Sequence, residues 1–564
     1  MEEKSSPVTS HPKESKGSAA GYGKQDLPAY ARDDSENEGI VLENVDGLKR
    51  RLSGRQIQMV TIGGSIGTAL FVSIGSGLTQ GGPGSLLIAF ILYSCFLGLV
   101  NNCMAEMSIF MPVSGSFVRM GSKWVDEAFG FMLGWNFFLY GEWCSIIVSE
   151  EMGNMRICAN EGLGLEAVLI PWEISALNLV LTFWSVINLF AVKWYGESEF
   201  WLSGGKVVLI AMIFCFTFIT MVGGNPKHDA YGFRYWKEPG AFAEYVTTGS
   251  LGKFEGFLAA LWKAAFTIVG PEYIAMMSGE AAHPRKNLKQ AFKTIYWRFG
   301  IFFIGGALAC GIVIPYNDKK LIAILSGGGS ETGTAASSPY VIAMQNLGIG
   351  VLPHITNAYC ACRTLYSLSL DGHAPRFLRK CTKSGVPIYC FGVTMIFPFL
   401  SFLSVGSSSA QVITWLANLT EASQIIDYIC MCTIYIFFYR ALKAQGIDRK
   451  TLPYVGWWQP YCAWAGLAAM IFTVGCYGYT TFLPGWWDTG TFFSYYTMVF
   501  VCPILYTGWK ILKKTKVVKP EEADLVWERP IIDAYEASVA ETHMTFWAEI
   551  KIMMGFGKKE EHLE

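Results

Sequence analysis

The stretch QIQMVTIGGSIGTALF, residues 56–71, is apolar enough for a membrane helix, yet it carries three glycines near its middle. Each of Gly63, Gly64 and Gly67 weakens a helix by about 1 kcal/mol relative to alanine. An interrupted helix survives in lipid only where its backbone is buried in protein or lines a cavity. Free N–H groups at such a break bind anions, so we expect a substrate carboxylate there. Close packing of two helices through small residues explains the same glycines equally well.

The composition of the 564-residue chain indicates a membrane protein. Only 16% of its residues are charged and 52% are hydrophobic, whereas soluble domains carry about 25% charged residues. Because a backbone in lipid must satisfy its own hydrogen bonds, long apolar runs predict an all-α integral membrane fold. Runs of spanning or nearly spanning length are Gly84–Met111, Trp201–Val222, Phe299–Pro315, Ile388–Val405, Val412–Tyr439, Tyr461–Phe482 and Phe492–Leu512.

The distribution of positive charge predicts the orientation. Short connections such as 406–410 and 484–490 carry no Lys or Arg, and the positive-inside rule then places both termini in the cytosol after an even number of crossings. Residues 1–55 are polar and are predicted to form a disordered cytosolic tail, followed by a transmembrane domain over 56–512 and a cytosolic tail over 513–564. The basic clusters lie at Lys49–Arg55, Arg285–Arg298, Arg363–Lys383, Arg440–Lys450 and Lys510–Lys519.

A second interruption lies at Gly270-Pro271-Glu272, inside another apolar stretch. Proline removes a backbone donor and breaks the helical ladder, which frees carbonyl groups to meet an ammonium group. Two broken helices, the first and the sixth in order, are typical of transporters built from two inverted five-helix repeats. Glu272 is a candidate functional residue, and a structural, paired carboxylate is the alternative.

Three further ionisable residues, Glu106, Glu173 and Lys206, are predicted to lie at membrane depth. Each costs a few kcal/mol if it is unpaired in lipid, so we expect either a partner or a proton pathway for each. Lys206 lies near one end of its span and could instead extend its amine to the interface.

The sequence offers no pattern for a metal, a cofactor, nucleic acid or catalysis. Most of the fifteen cysteines lie inside apolar runs, where cysteine acts as a small packing residue, and none has histidine partners at zinc spacing. The seven histidines lie mostly in loops or tails, so we expect no intramembrane enzyme.

The chain resembles the fungal amino-acid permeases of the amino acid–polyamine–organocation superfamily, from about Gly47 to Trp547. The motifs that carry the resemblance are GGSIGT at Gly63–Thr68, Glu106-Met with Pro112-Val-Ser-Gly115, WYGESEFW at Trp194–Trp201, Gly279-Glu280 with Pro284-Arg285, the Arg363–Pro375 element, and LVWERPIIDAYE at Leu525–Glu536.

The resemblance implies a twelve-helix proton symporter with broken helices 1 and 6. In that family the unwound first helix holds the substrate carboxylate, and here this places it on Ser65, Ile66, Gly67 and Thr68. Carbonyls of the first and sixth breaks hold the amino group, and Lys206 occupies the place of a fifth-helix lysine that couples protons in some relatives. Ala69 departs from the family, which usually has glycine there. The matching carbonyl region of the sixth helix is Phe266, Thr267, Ile268 and Val269.

Three regions depart from this architecture and predict defects in helices 3, 4 and 8. Residues 141–165 split the third helix, and deleting them restores a continuous apolar run, so we hypothesise a retained in-frame intron; a re-entrant loop is the alternative. Thr182–Lys193 is too short for a fourth helix, and the eighth helix is cut short between Asn357 and Tyr359. We therefore predict that the chain as written is poorly folded or inactive, while the correctly spliced gene encodes a transporter.

The leading functional prediction is proton-coupled uptake of amino acids across the plasma membrane by alternating access. Alternatives are a transporter-like nutrient sensor and a permease for related amines such as polyamines or carnitine. The expected partners are the amino-acid substrate, protons, the lipid bilayer, and ubiquitin-ligase or arrestin-type trafficking adaptors on the tails. Candidate ubiquitin acceptors are Lys4, Lys13, Lys16 and Lys24.

Overall fold

The computed structural model describes residues 50, 52, 54–66, 70, 73–143, 192–225, 227–325, 339–340 and 409–538. Over these ranges the regular secondary structure is helical, apart from an isolated β-bridge between Leu52 and Ala281. The all-α membrane fold predicted from composition is therefore confirmed.

The helices follow one another in an order that matches the predicted spans. Short 3₁₀ segments lie at Ser278–Glu280, Arg449–Thr451 and Tyr479–Phe482, and a π-helical turn at Phe299–Ile304 joins two helices into one long span. The helices are α1 (Gly54–Ser65), α2 (Ile74–Phe110), α3 (Ser116–Trp124), α4 (127–143), α5 (Val192–Met221), α6 (Arg234–Lys237), α7 (Gly249–Thr267), α8 (Pro271–Met276), α9 (Pro284–Arg298), α10 (Gly305–Val313), α11 (Lys319–Leu325), α12 (Ser409–Ala444), α13 (Tyr461–Cys476), α14 (Thr489–Lys513) and α15 (Arg529–Ser538).

Helix α2 comprises two pieces that meet at a kink. Gly82 has φ 77° and ψ 168°, which are not helical, and Pro83 follows it. A Cβ atom at position 82 would lie 2.7 Å from the backbone nitrogen of Ala243, so only glycine fits this close approach. Residues 74–81 therefore complete the first span on the far side of its break, and residues 83–110 form the second span.

Both predicted helix breaks are present. Helix α1 ends at Ser65, and the next α-helix begins at Ile74. Helix α7 ends at Thr267, Ile268 to Gly270 are not helical, and α8 begins at Pro271, where proline suits the first helical position.

The broken spans pack inside a larger bundle. Helix α2 packs along α7, α1 along α5, and α12 against both α13 and α14. Apolar side chains on the outside of the bundle, such as Val208, Phe218 and Ile504, are more than half exposed. These are the surfaces that contact lipid. By length and apolarity, the helices able to cross a membrane within the described ranges are Ile74–Phe110, Ser203–Met221, Pro284–Val313 and Trp415–Ala444.

The structure covers the predicted defects only at their edges. Helix α4 continues through Trp143, three residues into the predicted insertion at 141–165. Glu142 is fully buried there, and its carboxylate oxygens accept no hydrogen bond within the described part of the chain. A buried carboxylate is unfavourable unless it accepts hydrogen bonds or is paired. The insertion hypothesis stays a prediction, because residues 144–191, 357–359 and the Ile388–Val405 run lie outside the described ranges.

Candidate functional site

The two helix breaks meet at Ser65 and Gly270. Ser65 is buried at the end of α1, and its hydroxyl donates to the Thr61 carbonyl at 2.7 Å. A Cβ atom at position 270 would lie 3.2 Å from Ser65 Oγ and 2.7 Å from Ile295 Cδ1. The glycine at position 270 is therefore what lets the breaks approach within van der Waals distance.

The helix ends at this junction carry opposite partial charges. Helices α1 and α7 both end here, and the last carbonyls of a helix lack intrahelical partners and form its negative end. Helix α8 begins here and presents its positive N-terminal end, and the second half of the first span begins nine positions after Ser65, at Ile74. Such a junction can hold an ammonium group and a carboxylate group side by side.

Glu272 is fixed at the start of α8. It is 1% exposed, and both carboxylate oxygens lie 3.2 Å from the Gly270 amide that donates to them. The Tyr428 hydroxyl donates to Glu272 Oε2 at 2.9 Å, and Gln424 Nε2 donates to the Tyr428 hydroxyl at 2.9 Å. Glu272 therefore caps its own half-helix and also joins it to α12.

Lys206 reaches the first break from α5. Its ammonium group donates to the Gly63 carbonyl at 2.7 Å. A cation at the C-terminal end of a helix is stabilised by the helix dipole. Lys206 thus lies against the break instead of extending to the interface, which was the alternative from sequence.

Glu106 lies apart from the breaks and has a partner. Its carboxylate forms a bidentate ion pair with Arg449, with both N···O distances at 2.8 Å, and it accepts the Gly456 amide at 2.8 Å. The hydrogen bond from the Arg449 guanidinium to this carboxylate holds the pKa of Arg449 above its ordinary value. Glu106 therefore anchors the connection between α12 and α13 to the end of α2, which favours the paired interpretation.

Most of the other predicted site residues lie at the two breaks, and three lie outside the described residues. Thr267, Ile268 and Val269 are buried at the end of α7, where Phe266 is half-buried, and Ile66 is buried directly after α1. Gly64 belongs to α1. Gly67, Thr68 and Glu173 lie outside the described residues.

Helix α12 contributes polar residues that the sequence analysis missed. Glu421 and Asp427 are both 2% exposed. Glu421 accepts a hydrogen bond from the Tyr477 hydroxyl at 3.0 Å, and Asp427 accepts one from Asn136 Nδ2 at 2.8 Å. Both carboxylates lie inside the apolar run Val412–Tyr439. An ionisable residue inside a membrane span is a functional candidate, and this criterion, which selected Glu272, would also have selected Glu421 and Asp427.

Near Glu272, a second pair of side chains joins α4 to α8. The hydroxyls of Tyr140 and Tyr273 lie 3.3 Å apart, and both side chains are buried.

In the parts of the chain that the structure describes, no group of three or more His, Cys, Asp or Glu side chains has a metal-binding arrangement.

Curated relatives of this chain are amino-acid permeases. The general amino acid permease AGP2 of Saccharomyces cerevisiae is 39% identical over 86% of this chain and 84% of its own length. The dicarboxylic amino acid permease of the same yeast is 34% identical over 90% of this chain and 84% of its own length. A proline-specific permease of Emericella nidulans is 34% identical over 91% of this chain and 94% of its own length.

Solved structures show more distant similarity. A manganese transporter of Eremococcus coleocola aligns over 86% of this chain and 95% of its own with a TM-score of 0.46 and 10% identity. The assignment therefore rests on the sequence comparisons, in which the model of the amino acid permease family matches residues 56–521. The chain belongs to the amino acid permease family of integral membrane transporters.

Proposed function

We propose that the protein is a proton symporter that takes up amino acids across the plasma membrane by alternating access, with both termini in the cytosol. The observation that carries this proposal is the meeting of two helix breaks at Ser65 and Gly270, with Glu272 and Lys206 fixed beside them. An amino acid carries one ammonium and one carboxylate group, which the opposed helix ends of this junction complement.

The substrate ammonium binds the carbonyl ends of α1 and α7. Each end is the negative pole of a helix, so both attract a cation placed between them. The Glu272 carboxylate already accepts the Gly270 amide, so the positive end of α8 is occupied. The substrate carboxylate is therefore left to the N-terminal end of the second half of the first span, which begins at Ile74, and to Ser65–Thr68 in the stretch that leads to it, where the family resemblance places this group.

Lys206 couples proton movement to the position of α1. When protonated, its ammonium group binds the Gly63 carbonyl through both charge and hydrogen bonding. Loss of the proton leaves a neutral amine and a weaker hydrogen bond, so α1 separates from α5 more easily. Proton release is thereby linked to movement of the first break.

Uptake measurements test this function against the nutrient-sensor alternative. Cells lacking their own permeases and expressing the protein are given labelled amino acids, and carnitine and polyamines are included in the panel. The proposal expects uptake of one or more amino acids that an uncoupler abolishes. Signalling without appreciable flux would favour a sensor, and uptake restricted to the other amines would redefine the substrate class.

A further inference from the structure

The segment after the last span lies across the cytosolic ends of the helices. This segment, residues 518–536, is named the C-terminal strap. The Val518 amide donates to the Val125 carbonyl at 2.8 Å, and Trp124 Nε1 donates to the Asp524 carbonyl at 2.9 Å. Gln445, just after α12, donates to the Ala523 carbonyl at 2.7 Å. The first part of the strap is thus hydrogen-bonded to the connections that follow α3 and α12.

The middle of the strap is buried. Glu528 and Arg119 form an ion pair of 2.7 Å, and their side chains are 5% and 10% exposed. The guanidinium of Arg119 also lies 4.9 Å from the centre of the Trp527 ring. Leu525 and Ile532 are each 1% exposed. This part of the segment is therefore packed like protein interior.

The end of the strap binds the cytosolic extensions of both broken helices. Arg285, at the start of α9, forms ion pairs with Asp533 at 2.5 Å and Glu536 at 3.3 Å, and its amide donates to Glu536 at 3.0 Å. The guanidinium of Arg50, just before α1, lies 5.3 Å from the centre of the Tyr535 ring. The strap therefore contacts the chain that enters the first break and the chain that leaves the sixth.

These two extensions are also joined to each other. The Leu52 amide donates to the Glu280 carbonyl at 3.0 Å, and the Ala282 amide donates to the Leu52 carbonyl at 2.9 Å. The strap contacts the residues that flank this bridge, Arg50 on one side and Arg285 on the other. Opening of the inner halves of the broken helices must separate these segments from one another or move them together against the strap.

We infer that the C-terminal strap is a cytosolic latch, which holds the inner halves of the broken helices closed and slows their opening during transport. This inference rests on the proposed alternating-access function. The latch has a fixed and a releasable part. The Arg119–Glu528 pair is almost buried, whereas Asp533 and Glu536 are 45% and 23% exposed. Exposed ion pairs are individually weak, so the end of the strap releases while its middle stays docked.

A paired substitution in the full chain tests the latch. The double variant Asp533→Asn/Glu536→Gln removes the two negative charges that pair with Arg285, and it also removes the charge of the longer Arg529–Asp533 pair at 3.6 Å. The matched control, Glu521→Gln/Glu522→Gln, removes the same charge from exposed positions of the same segment, where Glu522 pairs only with the nearby Lys519 among the described residues. Arg285→Ala removes the other partner and is expected to behave like the double variant.

The readout is the maleimide labelling rate of a cysteine introduced as Leu52→Cys, measured from the cytosolic side of inside-out vesicles. Labelling of the parent without this cysteine is subtracted. The latch predicts labelling about two- to fivefold faster in the double variant than in the control, as expected for the loss of weak exposed ion pairs. The maximal uptake rate should rise by a similar factor. Labelling at the control rate in both the double variant and Arg285→Ala would overturn the inference.

Labelling requires no transported substrate. Faster labelling in a protein that takes up no amino acid would therefore support the latch while contradicting the proposed transport function. Normal uptake with unchanged labelling would support the proposed transport function and contradict the latch.

Discussion

The hydroxyl of Tyr428 donates a 2.9 Å hydrogen bond to the carboxylate of Glu272, across 156 positions of sequence. Both residues are buried. Glu272 lies at the start of α8, just after the break in the sixth span, and Tyr428 lies in the middle of α12. The hydrogen bond therefore joins one of the broken helices to a continuous helix. Any movement of the break must preserve this hydrogen bond or replace it with another.

We expect Tyr428→Phe to reduce amino-acid uptake by roughly tenfold or more. A hydrogen bond to a charged group contributes about 1.5–3 kcal/mol, and a buried carboxylate that loses one is left poorly satisfied. Initial uptake rates, normalised to the amount of protein in the membrane, measure the effect. Tyr439→Phe is the matched control, since Tyr439 lies on the same helix and contacts Arg449 through its ring. Equal uptake by both variants would show that the bond is dispensable.

Lys206→Ala should abolish the dependence of uptake on a proton gradient. The substitution removes the only side-chain donor that the described structure shows at the Gly63 carbonyl, together with its charge. Lys206→Arg keeps the charge but cannot release a proton at ordinary pH, so we expect it to bind substrate but transport slowly. Uptake is measured with and without an imposed pH gradient.

The control for Lys206 is Lys253→Ala, an exposed lysine near the start of α7. This variant should retain the response to the gradient. If Lys206→Ala retains it too, then Lys206 has no part in coupling.

Gly270→Ala should destabilise the protein and stop transport. The added methyl group would lie 2.7 Å from Ile295 Cδ1 and 3.2 Å from Ser65 Oγ, and overpacking of this kind costs about 1–3 kcal/mol. The thermal midpoint in detergent measures the loss. In a background that carries Ile295→Ala, the further change Gly270→Ala should lower the midpoint by less than it does in the parent, because the nearer contact is already gone.

Gly300→Ala serves as the comparison for Gly270→Ala, since no heavy atom outside its own neighbourhood lies within 4 Å of a Cβ at position 300. A midpoint for Gly270→Ala no lower than that of Gly300→Ala would mean that the breaks do not approach as closely as described.

Sequencing of the mature transcript tests the predicted gene-structure defects. We expect a cDNA that lacks codons 141–165 and carries additional sequence near Thr182–Lys193 and between Asn357 and Tyr359. The protein it encodes should reach the membrane in larger amount than the chain as written, because a continuous third helix would replace the one that buries Glu142. A transcript that matches the present chain would refute this prediction.

The positions of the breaks could be predicted from sequence because their causes are local. Glycine at 63, 64 and 67 and proline at 271 disfavour helix wherever they occur. The contacts of the charged residues could not be predicted in the same way. Glu106 meets Arg449 across 343 positions, and Lys206 meets Gly63 across 143. Such pairs depend on how the spans pack, which periodicity within a single span does not determine.

The contacts of the C-terminal strap could not be predicted from the sequence either, because they join distant parts of the chain. The distribution of positive charge predicts that residues 513–564 form a cytosolic tail, and it predicts no contact between them and the helices. The structure instead buries Leu525, Glu528 and Ile532 against the ends of the spans. The buried partner of Glu528 is Arg119, which lies 409 positions earlier in the chain. Neither segment alone indicates that the other will cover it.

Substrate-driven proton movement is the sharpest test of whether this protein carries amino acids together with protons. The purified protein is reconstituted into liposomes that contain a pH-sensitive dye, the membrane potential is clamped, and an amino acid transported in the uptake panel is added outside. We expect the lumen to acidify when the amino acid is added. Acidification should be much slower with Tyr428→Phe and absent with Lys206→Ala. Entry of the labelled amino acid without any change in lumenal pH would contradict this expectation.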